Sequence, residues 1–228
     1  MSNPFDLVIF DCDGVLVDSE RVANEVFADI LREECGLDYT LEQMFDTFVG
    51  HSRLQCLEIV EGLIGQAPSP RLAQRYQDDI NAALLKTVEA VPGIKGVLAD
   101  LDIPCCVASG GSHEKMKLTL GKTSLAQYFN GNIFSTSDVA RSKPHPDIYL
   151  HAAKSMGVVD TARCLVVEDS PLGVSGGVAA GMTVFGFAEM MPATKLLARG
   201  AYLTFDSMAD LPDLIASHRE SMRITSAG

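Results

Sequence analysis

Hydrophobic and polar positions follow two textures along the chain. The run "FDLVIF" at 5–10 ends in a polar, glycine-containing turn and predicts a buried parallel strand opening onto a loop. From about 20 to 89 no comparable run occurs. Val22, Val26, Phe27, Ile30 and Leu31 recur at helical spacing, and Leu41, Met44, Phe45 and Phe48 do the same. Leu54, Leu57, Val60, Leu63 and Ile64 continue the pattern, and after "QAPSP" so do Leu72, Tyr76, Ile80 and Leu84. This block predicts about four helices. Beyond "VPG" at 91–93, strands are predicted at 104–109, 132–138, 163–170 and 182–187, separated by helices that include the Ala- and Gly-rich stretch 171–181. Strand, helix, strand in repetition predicts an α/β fold with a doubly wound parallel sheet. Residues 1–17 and 92–228 would form this core, and 18–91 an inserted all-helical domain. The final ten or so residues are expected to fray.

Ligands of an open parallel sheet bind beyond the carboxyl ends of its strands. The first strand delivers Asp11 and Asp13 there, and the second delivers Ser109 with Gly110 and Gly111. The fourth delivers Glu168 and Asp169, and Lys143 follows the third in "RSKPHPD". Each has an ordinary reading alone: a turn acid, a loop serine, a solvated lysine, a helix-start acid. Asp18 and Ser19 keep that reading, as residues preceding a helix. Together, acids ending two separate strands on one sheet edge need another explanation. Two unit charges about 4 Å apart repel by roughly 4 kcal/mol at an effective dielectric of about 20. A divalent cation removes the repulsion, and an all-oxygen donor set suits Mg²⁺ better than zinc. The five histidines form no zinc-binding set.

Composition narrows the surroundings. A chain of 228 residues with 47% hydrophobic content can bury a large core without staples. A net charge of -12 argues against a nucleic-acid or anionic-membrane partner, so an anionic substrate needs a locally positive site. Six cysteines without a CxxC pair lie mostly in apolar runs and read as buried thiols of a reducing compartment. The segment "MSNPFDLVIFDCD" has no basic region and its apolar run is broken by acids, so neither a signal peptide nor a membrane span is predicted. A cytoplasmic location is the expectation. Oligomeric state is open, with a monomer slightly favoured.

"DCDGVLVDSE", the Ser109 strand end, "KPHPD" and "VVEDSPLGV", in that order, resemble the four motifs of the haloacid dehalogenase superfamily. The helical insert directly after the first motif is similar to that of its beta-phosphoglucomutase-like branch, which includes sugar phosphatases. The resemblance implies a Rossmann-like core with a helical cap. It implies Asp11 as the nucleophile that forms an aspartyl-phosphate, and Asp13 as general acid and then general base. Mg²⁺ would be held by Asp11, Asp169, Glu168 and the Asp13 backbone carbonyl. Ser109, Gly110 and Lys143 would hold the phosphate of a small phosphorylated substrate. Asp13 also separates the chain from the dehalogenases, which lack an acid two residues after the nucleophile.

The insert would act as a lid with hinges near 17–19 and 91–93. His51 and Arg53 in "VGHSRLQ" are candidates for reading the non-reacting part of the substrate, with Gly50 allowing the turn. The competing reading of Arg53 is a residue starting a helix on its solvated face. Mutases of this branch carry a histidine where this chain has Ala23, which favours a phosphatase. Gly110 stands where relatives often have a polar side chain, removing one contact to phosphate or substrate. The expectation is a Mg²⁺-dependent phosphatase of a small phosphorylated sugar or sugar acid. A phosphosugar mutase is the alternative, and a non-catalytic binding protein a more remote one.

Overall fold

The structure, a computed structural model, describes residues 3–226 apart from 50 and 52, with side chains of the last helix described through His218. Six strands build one sheet: β1 (Leu7–Phe10), β2 (Cys105–Ser109), β3 (Ile133–Ser135), β4 (Cys164–Glu168), β5 (Thr183–Phe187) and β6 (Leu203–Phe205). Their order is β3-β2-β1-β4-β5-β6 and every pairing is parallel. The doubly wound parallel sheet expected from the hydrophobic pattern is therefore present. All residues of β1 and β4 are buried, as central strands covered on both faces require. The direction of winding reverses between these two strands, so their carboxyl ends flank the crevice where such sheets bind ligands.

Phe10 is in register with Val107 of β2 and Val167 of β4. The Asp11 N–H donates to the Val167 carbonyl at 3.0 Å, which extends the pairing one residue and sets Asp11 beside Glu168. Helices α5 (Ile94–Asp100), α6 (His113–Lys122), α7 (Asp147–Ser155) and α8 (Pro171–Ala179) connect the strands, and α9 (Ala193–Leu197) and α10 (Leu211–Ser226) follow.

Three details differ from the expectation. β3 is shorter than the predicted 132–138, because residues 136–138 close into a 3-10 turn capped by Ser135 and Asp138. β6 has no counterpart among the predicted strands: only Phe205 of its three residues is buried, too little for a periodic signal. The chain is helical to Ser226 where the sequence predicts fraying.

Residues 3–17 and 90–226 fall in one compact unit and residues 18–89 in another. In the second, α1 (Ser19–Cys35), α2 (Leu41–Phe48), α3 (Arg53–Ile64) and α4 (Pro70–Thr87) are the four helices of the periodic block. Thr40 and Gln43 form a capping box at the start of α2, and Ser69 caps α4 ahead of Pro70. Phe27 packs edge-on against Phe48 and Tyr76, with ring centroids 4.9 and 4.4 Å away. Ala90 and Val91, read from the sequence as insert, pair with Val17 and Leu16 in the sheet-bearing unit.

Small residues let α8 lie close to the sheet. A Cβ on Gly177 would stand 2.7 Å from Val184 Cγ2, and one on Gly176 3.0 Å from the Tyr149 ring. The end of the sheet near α10 is aromatic. His218 stacks on Phe5 at 5.0 Å between centroids and meets Tyr202 and Phe185 edge-on. Burial lowers its pKa from the ordinary 6.5. The unfolded chain then binds more protons than the folded one once pH falls below about 6.5, so stability drops with pH in that range. His218→Phe keeps a ring and removes the titration. Melting temperatures measured from pH 7 to 5 should fall less steeply in the variant than in the parent protein.

Candidate active site

The loop after β1 turns back on itself immediately. The Gly14 N–H donates to the Val17 carbonyl at 2.8 Å, and Leu16 and Val17 donate to Cys12. This brings Asp11, Asp13 and Gly14 to the crevice within four residues. Gly14 has φ +78, and a Cβ there would stand 1.9 Å from Asp169 Oδ2. Glycine is required on both counts, and the contact presses the Asp169 carboxylate against the first loop.

Lys143 lies at the centre of the charges. Its Nζ donates to Asp11 Oδ1 at 2.7 Å and to Glu168 Oε1 at 2.6 Å, and it stands 5.2 Å from the centroid of the Tyr149 ring. Glu168 is fully enclosed. The Tyr149 hydroxyl donates to Oε1 at 2.8 Å, while the Ser170 N–H and hydroxyl donate to Oε2 at 2.9 and 3.0 Å. These bonds and the one from Lys143 use the acceptor capacity of a carboxylate. Its space is reserved by Gly173, where a Cβ would stand 1.8 Å from Oε1. Ser170 in turn caps α8 by accepting from the Gly173 N–H at 3.0 Å.

The second strand end supplies a different surface. Ser109 is fully buried, and its Oγ accepts from the Gly111 N–H at 3.0 Å. The Ser135 hydroxyl donates to the Gly111 carbonyl at 2.7 Å and pins the loop. Gly110 is exposed beside it. Asp13 is half-buried and forms an ion pair with Lys115, Nζ to Oδ1 2.8 Å.

Burial and then neighbouring charge explain the titration of the group. Burial pushes the Asp11 carboxyl up to about 7, with Glu168 and Asp13 adding to the rise and Lys143 opposing it. Burial alone would pull Lys143 down, but Asp11 and Glu168 hold it well above its ordinary value. Tyr149 is raised by burial and then by the Glu168 charge, so its hydroxyl stays a donor. One oxygen each from Asp11, Glu168 and Asp169 lie within 4.8 Å of one another. Two oxygens bound at about 2.1 Å to one small hard cation stand at most about 4.2 Å apart, so a slight contraction suffices for a divalent ion. The three carboxylates of this group, Asp11, Glu168 and Asp169, face one ammonium, Lys143, and a divalent cation would balance the difference.

The haloacid dehalogenase-like hydrolase family matches residues 5–181, which contain every one of these groups. The chain belongs to this family. Members of the haloacid dehalogenase-like hydrolases generally use a divalent metal, and the buried acids fit one. A 6-phosphogluconate phosphatase of Escherichia coli is 33% identical over 210 residues, covering 92% of this chain and 94% of its own. A haloacid dehalogenase-like protein of unknown function from Agrobacterium tumefaciens superposes with a TM-score of 0.88 at 38% identity, over 94% of this chain and 99% of the other. A family hydrolase from Deinococcus radiodurans, solved with bound phosphate and sodium, gives 0.82 at 32% identity, over 95% and 97%.

The core residues singled out in the sequence thus converge in this hydrolase: Asp11, Asp13, Ser109, Gly110, Lys143, Glu168 and Asp169 lie along one edge of the sheet. Asp18 precedes α1 and accepts from Arg21 Nε at 2.7 Å. In the helical unit, Arg53 is the first residue of α3, exposed, and its Nη1 donates to Gln77 Oε1 at 2.9 Å. His51 is exposed, and Gly50 lies outside the described residues. The sequence patterns do not single out Lys115, Tyr149 or Ser170. Tyr149 lies with Ile148, Ala152 and Ala153 among the buried residues of α7, and only its enclosure against Glu168 reveals a polar task. Tyr149→Phe removes one buried hydrogen bond to a charged group and should cost about 1.5–3 kcal/mol. Urea unfolding at constant slope checks this.

Proposed function

We propose that this haloacid dehalogenase-like hydrolase is a Mg²⁺-dependent phosphatase of a small phosphorylated sugar or sugar acid, working through phosphorylated Asp11. The observation that carries the reading is the Lys143 bridge: one ammonium holds the Asp11 carboxylate beside Glu168, with Asp169 within ligand distance. The chain's likeness to a named sugar-acid phosphatase over nearly its whole length supports the substrate class.

The chemistry follows from the groups present. An Asp11 oxygen attacks phosphorus, the ester P–O bond breaks, and the leaving oxygen takes a proton from Asp13. Water then attacks the aspartyl-phosphate, Asp13 accepts its proton, the bond to Asp11 breaks, and inorganic phosphate leaves. Ser109 and the amides around Gly110 hold the phosphate oxygens, and Lys143 offsets the repulsion between two anions. Asp11, Asp169 and the Asp13 backbone carbonyl would hold Mg²⁺, which supplies further charge neutralisation of the phosphoryl group. Glu168 lies close enough to join them, but its oxygens already serve Lys143, Tyr149 and Ser170. Residues 18–89 are read as the cap, in which His51 and Arg53 are the candidates for substrate choice. Six free thiols support a reducing, cytoplasmic setting, and no helix among the described residues is long and apolar enough to cross a membrane.

Phosphate release from a panel of sugar and sugar-acid phosphates, 6-phosphogluconate among them, tests the reading. Activity should require Mg²⁺, vanish with a chelator and return on adding the ion. Conversion of one sugar phosphate to another without phosphate release would instead identify a mutase. Asp11→Asn should lower turnover by about 10³-fold or more while circular dichroism stays native. Gly14→Ala should displace the Asp169 carboxylate. Titration calorimetry should then show Mg²⁺ affinity reduced by about tenfold or more.

A further inference from the structure

Lys115 occupies an unfavourable place for a cation. It is the third residue of α6, in the first turn, where the exposed amide groups carry the positive end of the helix dipole and acids are preferred. The Ser112 hydroxyl accepts from the Lys115 N–H, so the backbone is that of an ordinary capped helix start. Nothing in α6 itself asks for an ammonium at this position. What the side chain reaches is Asp13, with Nζ 2.8 Å from Oδ1. The helix begins four residues after Ser109, so the loop that carries the serine also carries the lysine.

The geometry around Gly111 shows how close the three groups are. The point where a Gly111 Cβ would stand is 3.3 Å from Asp13 Oδ2, 3.3 Å from Ser109 Oγ and 3.5 Å from Lys115 Cδ. The Lys115 stem thus lies along Gly111 and its ammonium takes Oδ1, while Oδ2 and Ser109 Oγ both border the same Gly111 position. A carboxylate on a two-bond side chain can rotate, and a proton donor that rotates away from the leaving oxygen loses its effect.

We infer that Lys115 is a positioning residue for the proton-transfer step, fixing the Asp13 carboxylate so that its second oxygen faces the group held at Ser109. This rests on the reading of Asp13 as acid and base. Lys115 does not itself give or take the proton. It determines where Asp13 gives and takes it. The lysine is distinct in task from Lys143, which serves the nucleophile.

The test uses leaving groups of different basicity. An alkyl ester such as 6-phosphogluconate needs a proton on the departing oxygen, whereas p-nitrophenolate leaves without one. In pre-steady-state measurements on Lys115→Met, the p-nitrophenolate burst from p-nitrophenyl phosphate should stay within about threefold of the parent protein. Aspartyl-phosphate formation from the alkyl ester should slow by about 10²-fold, and Lys115→Arg should recover much of that loss. Asp13→Asn serves as the reference and should show the same split. Equal losses on both substrates, with KM raised on both, would mean that Lys115 binds phosphate or supports the loop, and the inference fails. No loss on either also overturns it. If Asp13→Asn lacks the split, the acid/base reading itself falls and takes this one with it. A split in Asp13→Asn without one in Lys115→Met overturns the positioning role of Lys115 and leaves the acid/base reading of Asp13 standing.

Discussion

The ammonium of Lys143 is the interaction on which the rest of the core depends. It is placed where two carboxylates from different strands would otherwise repel across a dry gap, and it bonds to both. Leaving one member of such a buried group without its counter-charge costs on the order of 3–5 kcal/mol, a large share of a domain's stability. The surrounding sequence is arranged to keep the lysine there. Tyr149 lies beneath it and bonds to Glu168, Ser170 fills the far oxygen of Glu168, and Gly173 vacates the volume the carboxylate occupies. Stability and site geometry are therefore not separable at this position: the arrangement that makes the buried charges tolerable also fixes the orientation of the Asp11 carboxylate.

A parallel sheet is suited to gathering such a group. Its strands all end on the same edge, and the reversal of winding between β1 and β4 opens a crevice there. The register then sets height. Pairing of Phe10 with Val167 leaves Asp11 and Glu168 as the first residues past the hydrophobic rungs, so both acids appear at one level. The Ala- and Gly-rich helix α8 is part of the same design, since bulkier residues at 173, 176 and 177 would collide with Glu168, Tyr149 and Val184 in turn.

Much of this was legible in the sequence because it is written in patterns of period and order. Continuous apolar runs marked β1 and β4, helical periodicity marked α1 to α4, and the acids were visible as residues that ended two such runs. What stayed hidden lacks a pattern. β6 has one buried residue, and α9 spans only five positions. Lys115, Tyr149 and Ser170 are ordinary residues of helices α6 and α7 and of the α8 N-cap. Lys115 and Tyr149 take their tasks from partners distant in the chain, and Ser170 takes its own from Glu168, an acid that only the assembled sheet buries. Lys115 did carry one local sign, a cation in a first turn, but such a residue is common on solvated helices. Arg53 shows the converse: its type and loop suggested substrate contact, while its bond to Gln77 and its place at the start of α3 are equally what a surface helix would show.

The partnership of Lys143 with Asp11 joins positions 132 residues apart. No local segment can therefore acquire the properties of the assembled pocket. In an unfolded chain Asp11 is an ordinary hydrated carboxylate, and its pKa is raised to about 7 only where it is buried with Glu168 beside it. The unusual protonation of this carboxyl group is thus a property of the completed sheet and of no shorter segment.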